Sequence, residues 1–150
     1  MTSTVPEVRD NLTQVDAEAR AARVARCHYT LALSLTRSSE TYRGECTLEF
    51  EDAGTGDLFL DFRGKTIDRL EVNGNVVESP VWNGYRLWLP GVHLASTNTV
   101  HVLYENNYDH EGDGFHQFVD PEDGAEYLYS NFEPYESHRL FPQFDQPDIK

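Results

Sequence analysis

From residue 29 onward the apolar positions of the chain fall on every second residue. Tyr29, Leu31, Leu33 and Leu35 alternate with Thr30, Ala32 and Ser34. After the polar Ser38-Ser39-Glu40, Tyr42, Gly44, Cys46, Leu48 and Phe50 alternate with Arg43, Glu45, Thr47 and Glu49. A period of two around a short polar turn predicts an antiparallel strand pair with one face in water. Gly54-Thr55-Gly56 leads to a third strand through Leu58, Leu60 and Phe62. Ile67, Leu70 and Val72 mark a fourth, closed by the hairpin signal Asn73-Gly74. Val76-Val77, a second Asn-Gly at Asn83-Gly84, the run Arg86 to Leu89, Pro90-Gly91 and a strand through Val100, Val102 and Tyr104 complete the series. Turn signals at a spacing of about 8–12 residues predict an all-β sandwich. No repeat or linker divides the chain, so residues 1–150 read as one domain. Glu105 to Gly114 is its most polar loop.

One stretch departs from this period. Thr13 and Asp16 have capping-box spacing, and Asp16 to Arg26 is rich in Ala, Arg and Glu, which predicts a short N-terminal helix. Val15, Ala19, Ala22 and Arg26 form its weak apolar stripe. Arg9, Arg20, Arg23 and Arg26 then belong to a solvated face that pairs with an acidic body.

Composition narrows the classes. A chain of 150 residues with 39% hydrophobic and 12% aromatic content builds a sizeable core and is not disordered. Its formal net charge of −14 repels phosphate, which argues against nucleic acid and anionic membranes as partners. Such a surface suits cations such as a peptide ammonium, although acidity also serves plain solubility. Cys27 and Cys46 are too few for a disulfide scaffold and read as packed free thiols on neighbouring strands. No apolar run is long enough to span a bilayer. The first residues lack the apolar core of a signal peptide, so a cytoplasmic location is expected and Asn11-Leu12-Thr13 is a chance glycosylation match.

The most informative stretch is the last, Tyr127 to Lys150. It carries Tyr127-Leu128-Tyr129, Phe132-Glu133-Pro134, His138-Arg139, Phe141-Pro142, Phe144-Asp145-Gln146-Pro147-Asp148 and Lys150 in that order. Upstream lie Tyr29, Leu31, Leu33, Tyr42, Gly44, Gly114-Phe115-His116 and Asp120-Pro121. This ordered set resembles the N-terminal domain of the aminopeptidase N-like zinc metallopeptidases, relatives of leukotriene hydrolase. The resemblance implies a β-rich, saddle-shaped, multi-sheet sandwich that precedes a catalytic zinc domain. It also implies that the chain ends at a junction, so that Phe141 and Phe144 lose a docking partner there. Self-association through that cut face is then expected.

In this family zinc is held by H-E-x-x-H on a helix, with the Glu as general base. The histidines here are His28, His93, His101, His110, His116 and His138, and no two are four apart. The Gly-x-Met-Glu-Asn loop of the family is also missing. The zinc, the general base and the catalytic domain are therefore expected outside this sequence, and the chain alone is not expected to be a peptidase. What the resemblance assigns to this chain is recognition of the substrate. In the family a Q-x-E triplet reaches into the cleft and meets the N-terminal amine of the peptide by a charge-assisted hydrogen bond. The corresponding residues are Asn131-Phe132-Glu133, with Glu133 on the amine-binding position and Asn131 one methylene shorter than the usual Gln. Arg139 and Asp145 read either as structural partners or as a solvated pair. Gln143 stands where the family commonly has Cys.

The remaining constellations are weaker. Gly64-Lys65-Thr66 lacks the upstream glycine of a P-loop, Phe59 standing in its place. The acidic residues between Glu105 and Asp123 lack EF-hand spacing. The second functional reading is a stand-alone binding module, with Trp82, Tyr85 and Trp88 as a stacking platform for carbohydrate or a protein partner.

Overall fold

The structure, a computed structural model, describes residues 10–149. Arg9 and the lead-in read for a signal peptide lie outside the described residues. The helix expected over Asp16 to Arg26 is α1, Gln14–Arg23, and stops short of Arg26 because Val24 is already extended and begins a strand. Thr13 caps it by accepting a hydrogen bond from the backbone N–H of Asp16. The buried face of α1 is the opposite of the expected stripe: Val15 is 76% exposed, while Arg20 is 2% exposed. The reason is chemical. The groove under the helix is polar, and the guanidinium of Arg20 fills it.

Among the described residues nine strands follow: β1 (Val24–Ser34), β2 (Thr41–Asp52), β3 (Leu58–Asp61), β4 (Thr66–Val72), β5 (Asn75–Val76), β6 (Arg86–Leu89), β7 (Thr97–Asn107), β8 (Gly114–Val119) and β9 (Glu126–Asn131). They form an antiparallel sheet in the order β1-β2-β7-β4-β5 and two strand pairs, β3-β6 and β8-β9. The all-β sandwich expected from the alternation is what the chain adopts. Tyr42, Gly44, Cys46, Leu48 and Phe50 of β2 are all buried and meet Val100, Val102, Tyr104, Leu70 and Val72 on the same face. Leu58, Leu60, Leu87 and Leu89 of the β3-β6 pair close the core from the other side. Asn73 and Gly74 both have positive φ, 50° and 80°, the backbone a two-residue hairpin of this hand requires.

β3 departs from the expected half-wet strand, because both its faces are buried. Its second face, with Phe59, is roofed by Arg20 of α1 and by Arg86, whose guanidinium carbons lie 4.6 and 4.3 Å from the Phe59 ring centre. The polar stretch from Glu105 is likewise not all loop. β7 runs on to Asn107, and the buried Asn106 side chain donates to Tyr42 Oη and to the Arg63 and Arg139 carbonyls. Cys46 pairs with Leu31, four positions beyond Cys27, a separation of about 13 Å that no disulfide spans. Both thiols are free, and burial pushes them up to about 11 at Cys27 and about 12 at Cys46.

Gly44 stands directly opposite Tyr104, and the tyrosine ring lies over it where a Cβ would be. The Tyr104 hydroxyl passes on to donate to the Leu140 carbonyl. Gly44→Ala is expected to destabilise the chain by roughly 1–3 kcal/mol through overpacking, read as a lower urea midpoint at unchanged slope.

Candidate functional site

The site is built on the β8-β9 pair and the segment after it. Gly114 of β8 faces Asn131 of β9, so Asn131 is the last paired residue of the hairpin. The hairpin is fastened to the body at three places. Phe115 packs edge-on against Tyr42. Its N–H donates to the Asp109 carboxylate, and the Gln117 side chain donates to the Ser39 carbonyl. At the far end the Glu126 carboxylate accepts the Ser38 N–H at 2.8 Å.

Beyond Asn131 the chain turns through Phe132 to Glu136, with the Glu136 N–H donating to the Phe132 carbonyl. Glu133 lies on the outside of this turn, exposed, and joins no ion pair among the described residues. Asn131 is exposed beside it, and its amide nitrogen is 3.4 Å from Asp113 Oδ1. The two sequence-predicted site residues therefore share one end of the hairpin, and the Glu133 carboxylate is available to a ligand.

The rest of the segment is anchored more tightly than expected. Ser137–Arg139 is a 3₁₀ turn, and the Leu140 carbonyl at its end accepts from both Tyr42 and Tyr104 hydroxyls. Phe144 is 3% exposed, packs edge-on against Phe50, and its N–H donates to Tyr29 Oη. Phe141 is half-buried against Tyr29. The expected cut face of Phe141 and Phe144 is thus corrected: these rings belong to the domain's own core, because the terminal segment folds back onto β2 and β3. Exposed apolar surface lies instead on the hairpin, where Phe118, Val119, Tyr127, Leu128 and Tyr129 are between 38% and 53% exposed.

The pairing of Arg139 with Asp145 is also corrected. Arg139 pairs with Asp109 and Glu136, and Asp145 pairs with His138. Sequence reasoning missed this histidine. It is fully buried, with Nε2 2.7 Å from Asp10 Oδ1 and Nδ1 2.7 Å from Asp145 Oδ2. Burial opposes its charge, yet the hydrogen bonds and attraction of the two carboxylates push it up to about 9. Asp10 and Asp145, although burial works the other way, are held below the usual carboxylate range by that histidine. Equally unforeseen is the buried pair of Arg20 and Asp61, 2.7 Å apart, with Arg20 Nε also donating to the Gln146 side chain. For His138 the available signal was the density of polar residues inside an aromatic terminal segment; for Arg20 and Asp61, on α1 and β3, there was none.

Of the aromatic trio, the two tryptophans pack on core rings. Trp82 donates its Nε1–H to the Phe62 carbonyl and stacks on Phe62, and Trp88 packs on Phe59. Both indoles are half-buried on core rings.

Comparison with known proteins decides the family. Aminopeptidase N of Streptomyces lividans is 37% identical over 144 residues, 93% of this chain. The chain belongs to the aminopeptidase N-like zinc metallopeptidase family. It spans 17% of the length of that relative. The fold is shared with native yeast LTA4 hydrolase, at a TM-score of 0.72 and 19% identity, over 99% of this chain and 24% of that one. It is shared too with the M1 zinc metallopeptidase of Deinococcus radiodurans, at a TM-score of 0.61 and 23% identity, over 83% of this chain and 30% of that one. No family model matches the sequence. For the zinc of these enzymes the residues here do not fit: the sequence has no H-E-x-x-H, and among the described residues no three His, Cys, Asp or Glu converge on one point.

Proposed function

We propose that this chain is the N-terminal, non-catalytic domain of a zinc aminopeptidase that releases N-terminal amino acids from peptides, and that Glu133 receives the ammonium of the substrate. The observation that carries the reading is the Glu133 carboxylate, exposed on a turn anchored on both sides and paired with no cation among the described residues. A carboxylate so placed meets an ammonium with no native ion pair to break, and charge-assisted hydrogen bonds are the strong ones. Asn131 beside it supplies an amide to the same end of the ligand. A tripeptide substrate, Tyr-Ser-Ala, occupies a Deinococcus radiodurans relative, which makes a peptide a fitting ligand class. The catalytic domain is the partner, and the apolar hairpin face around Tyr127 and Tyr129 is where it docks in this reading.

The first test is genetic. The reading frame is expected to continue past Lys150 into an H-E-x-x-H segment. A stop codon directly after Lys150 would contradict the proposal.

A further inference from the structure

We propose that Asp10, His138 and Asp145 form a charge clasp in which His138, doubly protonated, is a positioning residue for the turn that carries Glu133. The inference rests on the reading of Glu133 only for its functional meaning. The clasp itself stands on geometry. Both ring nitrogens of His138 lie 2.7 Å from a carboxylate oxygen, Asp10 Oδ1 on one side and Asp145 Oδ2 on the other. A neutral imidazole carries a single N–H, so one of these contacts would then set two acceptors against each other. Only the imidazolium donates to both.

The surrounding charges complete the arrangement. Arg63 reaches the second oxygen of Asp10 at 3.3 Å. The second oxygen of Asp145 accepts from the Ser137 hydroxyl, and the Asp145 N–H donates to Asp61, which is itself paired with Arg20. Among the described residues, three cations and three carboxylates thus lie along one chain of contacts that runs from the exposed Arg63 through the buried His138 to the buried Arg20–Asp61 pair. The clasp bridges residues 128 positions apart, joining the stretch before α1 to the terminal segment. It reaches Glu133 through Tyr135, whose ring centre lies 4.3 Å from that of His138. Only Pro134 separates Tyr135 from Glu133, so the base of the turn is seated on the clasped ring.

The sign of the pH dependence follows. A histidine raised to about 9 stabilises the fold fully below its ordinary value of 6.5, and that contribution is lost as pH rises through about 9. The two lowered carboxylates contribute above their ordinary value of 3.8 and stop contributing at more acid pH.

The test is nitrogen-15 NMR of the 150-residue chain, following the His138 ring and the Glu133 backbone amide from neutral to alkaline pH. Both ring nitrogens are expected to be protonated at neutral pH. The ring is expected to titrate near 9, with the Glu133 amide moving at the same midpoint. In Asp10→Asn the midpoint is expected to fall by about one unit or more, as for loss of an adjacent opposite charge, and the Glu133 amide to shift already at neutral pH. A neutral His138 tautomer at pH 7, or a Glu133 amide indifferent to the His138 titration, would overturn the clasp. The wild-type titration decides the matter even if Asp10→Asn does not fold. No peptide enters this experiment, so its failure is separate from any failure of Glu133 to bind an ammonium.

Discussion

Arg20→Met is expected to destabilise the chain by roughly 3–5 kcal/mol, the cost of leaving one partner of a buried ion pair behind. Asp61, 2% exposed, would keep its charge with the Asp145 N–H and the Tyr135 hydroxyl as compensation. The substitution also removes the bonds from Arg20 to the Gln146 side chain and the Phe59 carbonyl. These contacts hold α1, β3 and the terminal segment together, so the loss is felt in all three. Equilibrium urea unfolding checks it. Arg20→Met combined with Asp61→Leu is expected to recover much of the loss, since an apolar pair of similar volume often matches a buried ion pair. A single variant within about 1 kcal/mol of the parent would show the pair to be far better solvated than its burial indicates.

The second large effect is kinetic. In the zinc aminopeptidase proposed to carry this domain, Glu133→Gln is expected to lower kcat/KM for peptides with a free N-terminus by roughly 10- to 100-fold, the worth of about 1.5–3 kcal/mol for a hydrogen bond to a charged group. Glutamine keeps the shape and one acceptor oxygen but loses the charge. The ammonium is present in the bound substrate and in the transition state alike, so most of the effect belongs in KM. Steady-state kinetics of the two proteins at one pH and ionic strength separates the parameters. Unchanged KM and kcat would place the amine elsewhere.

Much of this fold is legible in the residue pattern because one wet face writes a period of two. β2 shows it most cleanly, since each of Tyr42, Cys46, Leu48 and Phe50 is buried and the intervening Arg43, Glu45 and Glu49 are not. The pattern fails where a second layer covers the wet face. Phe59 and Asp61 are buried because α1 lies over them, an arrangement set by residues 41 positions away. It fails again at α1, where the buried member is an arginine that no apolar stripe counts. The supports of the candidate site were not legible. Asn131 and Glu133 stand exposed at the hairpin end, but in the segment that holds them Asp145 takes His138 and leaves Arg139 to Asp109. Neighbours in a 3₁₀ turn diverge by a third of a circle, so adjacent residues face different partners, and the order of residues alone does not say which one faces inward.

The most direct test of the account crosses two changes: Glu133→Gln in the zinc enzyme, and removal of the ammonium from a peptide inhibitor by replacing its first residue with the des-amino analogue. Inhibition constants for the four combinations give the coupling between the carboxylate and the amine. Losing the amine is expected to weaken binding to the parent at least about 10-fold more than it weakens binding to Glu133→Gln. An equal loss in both proteins would contradict it.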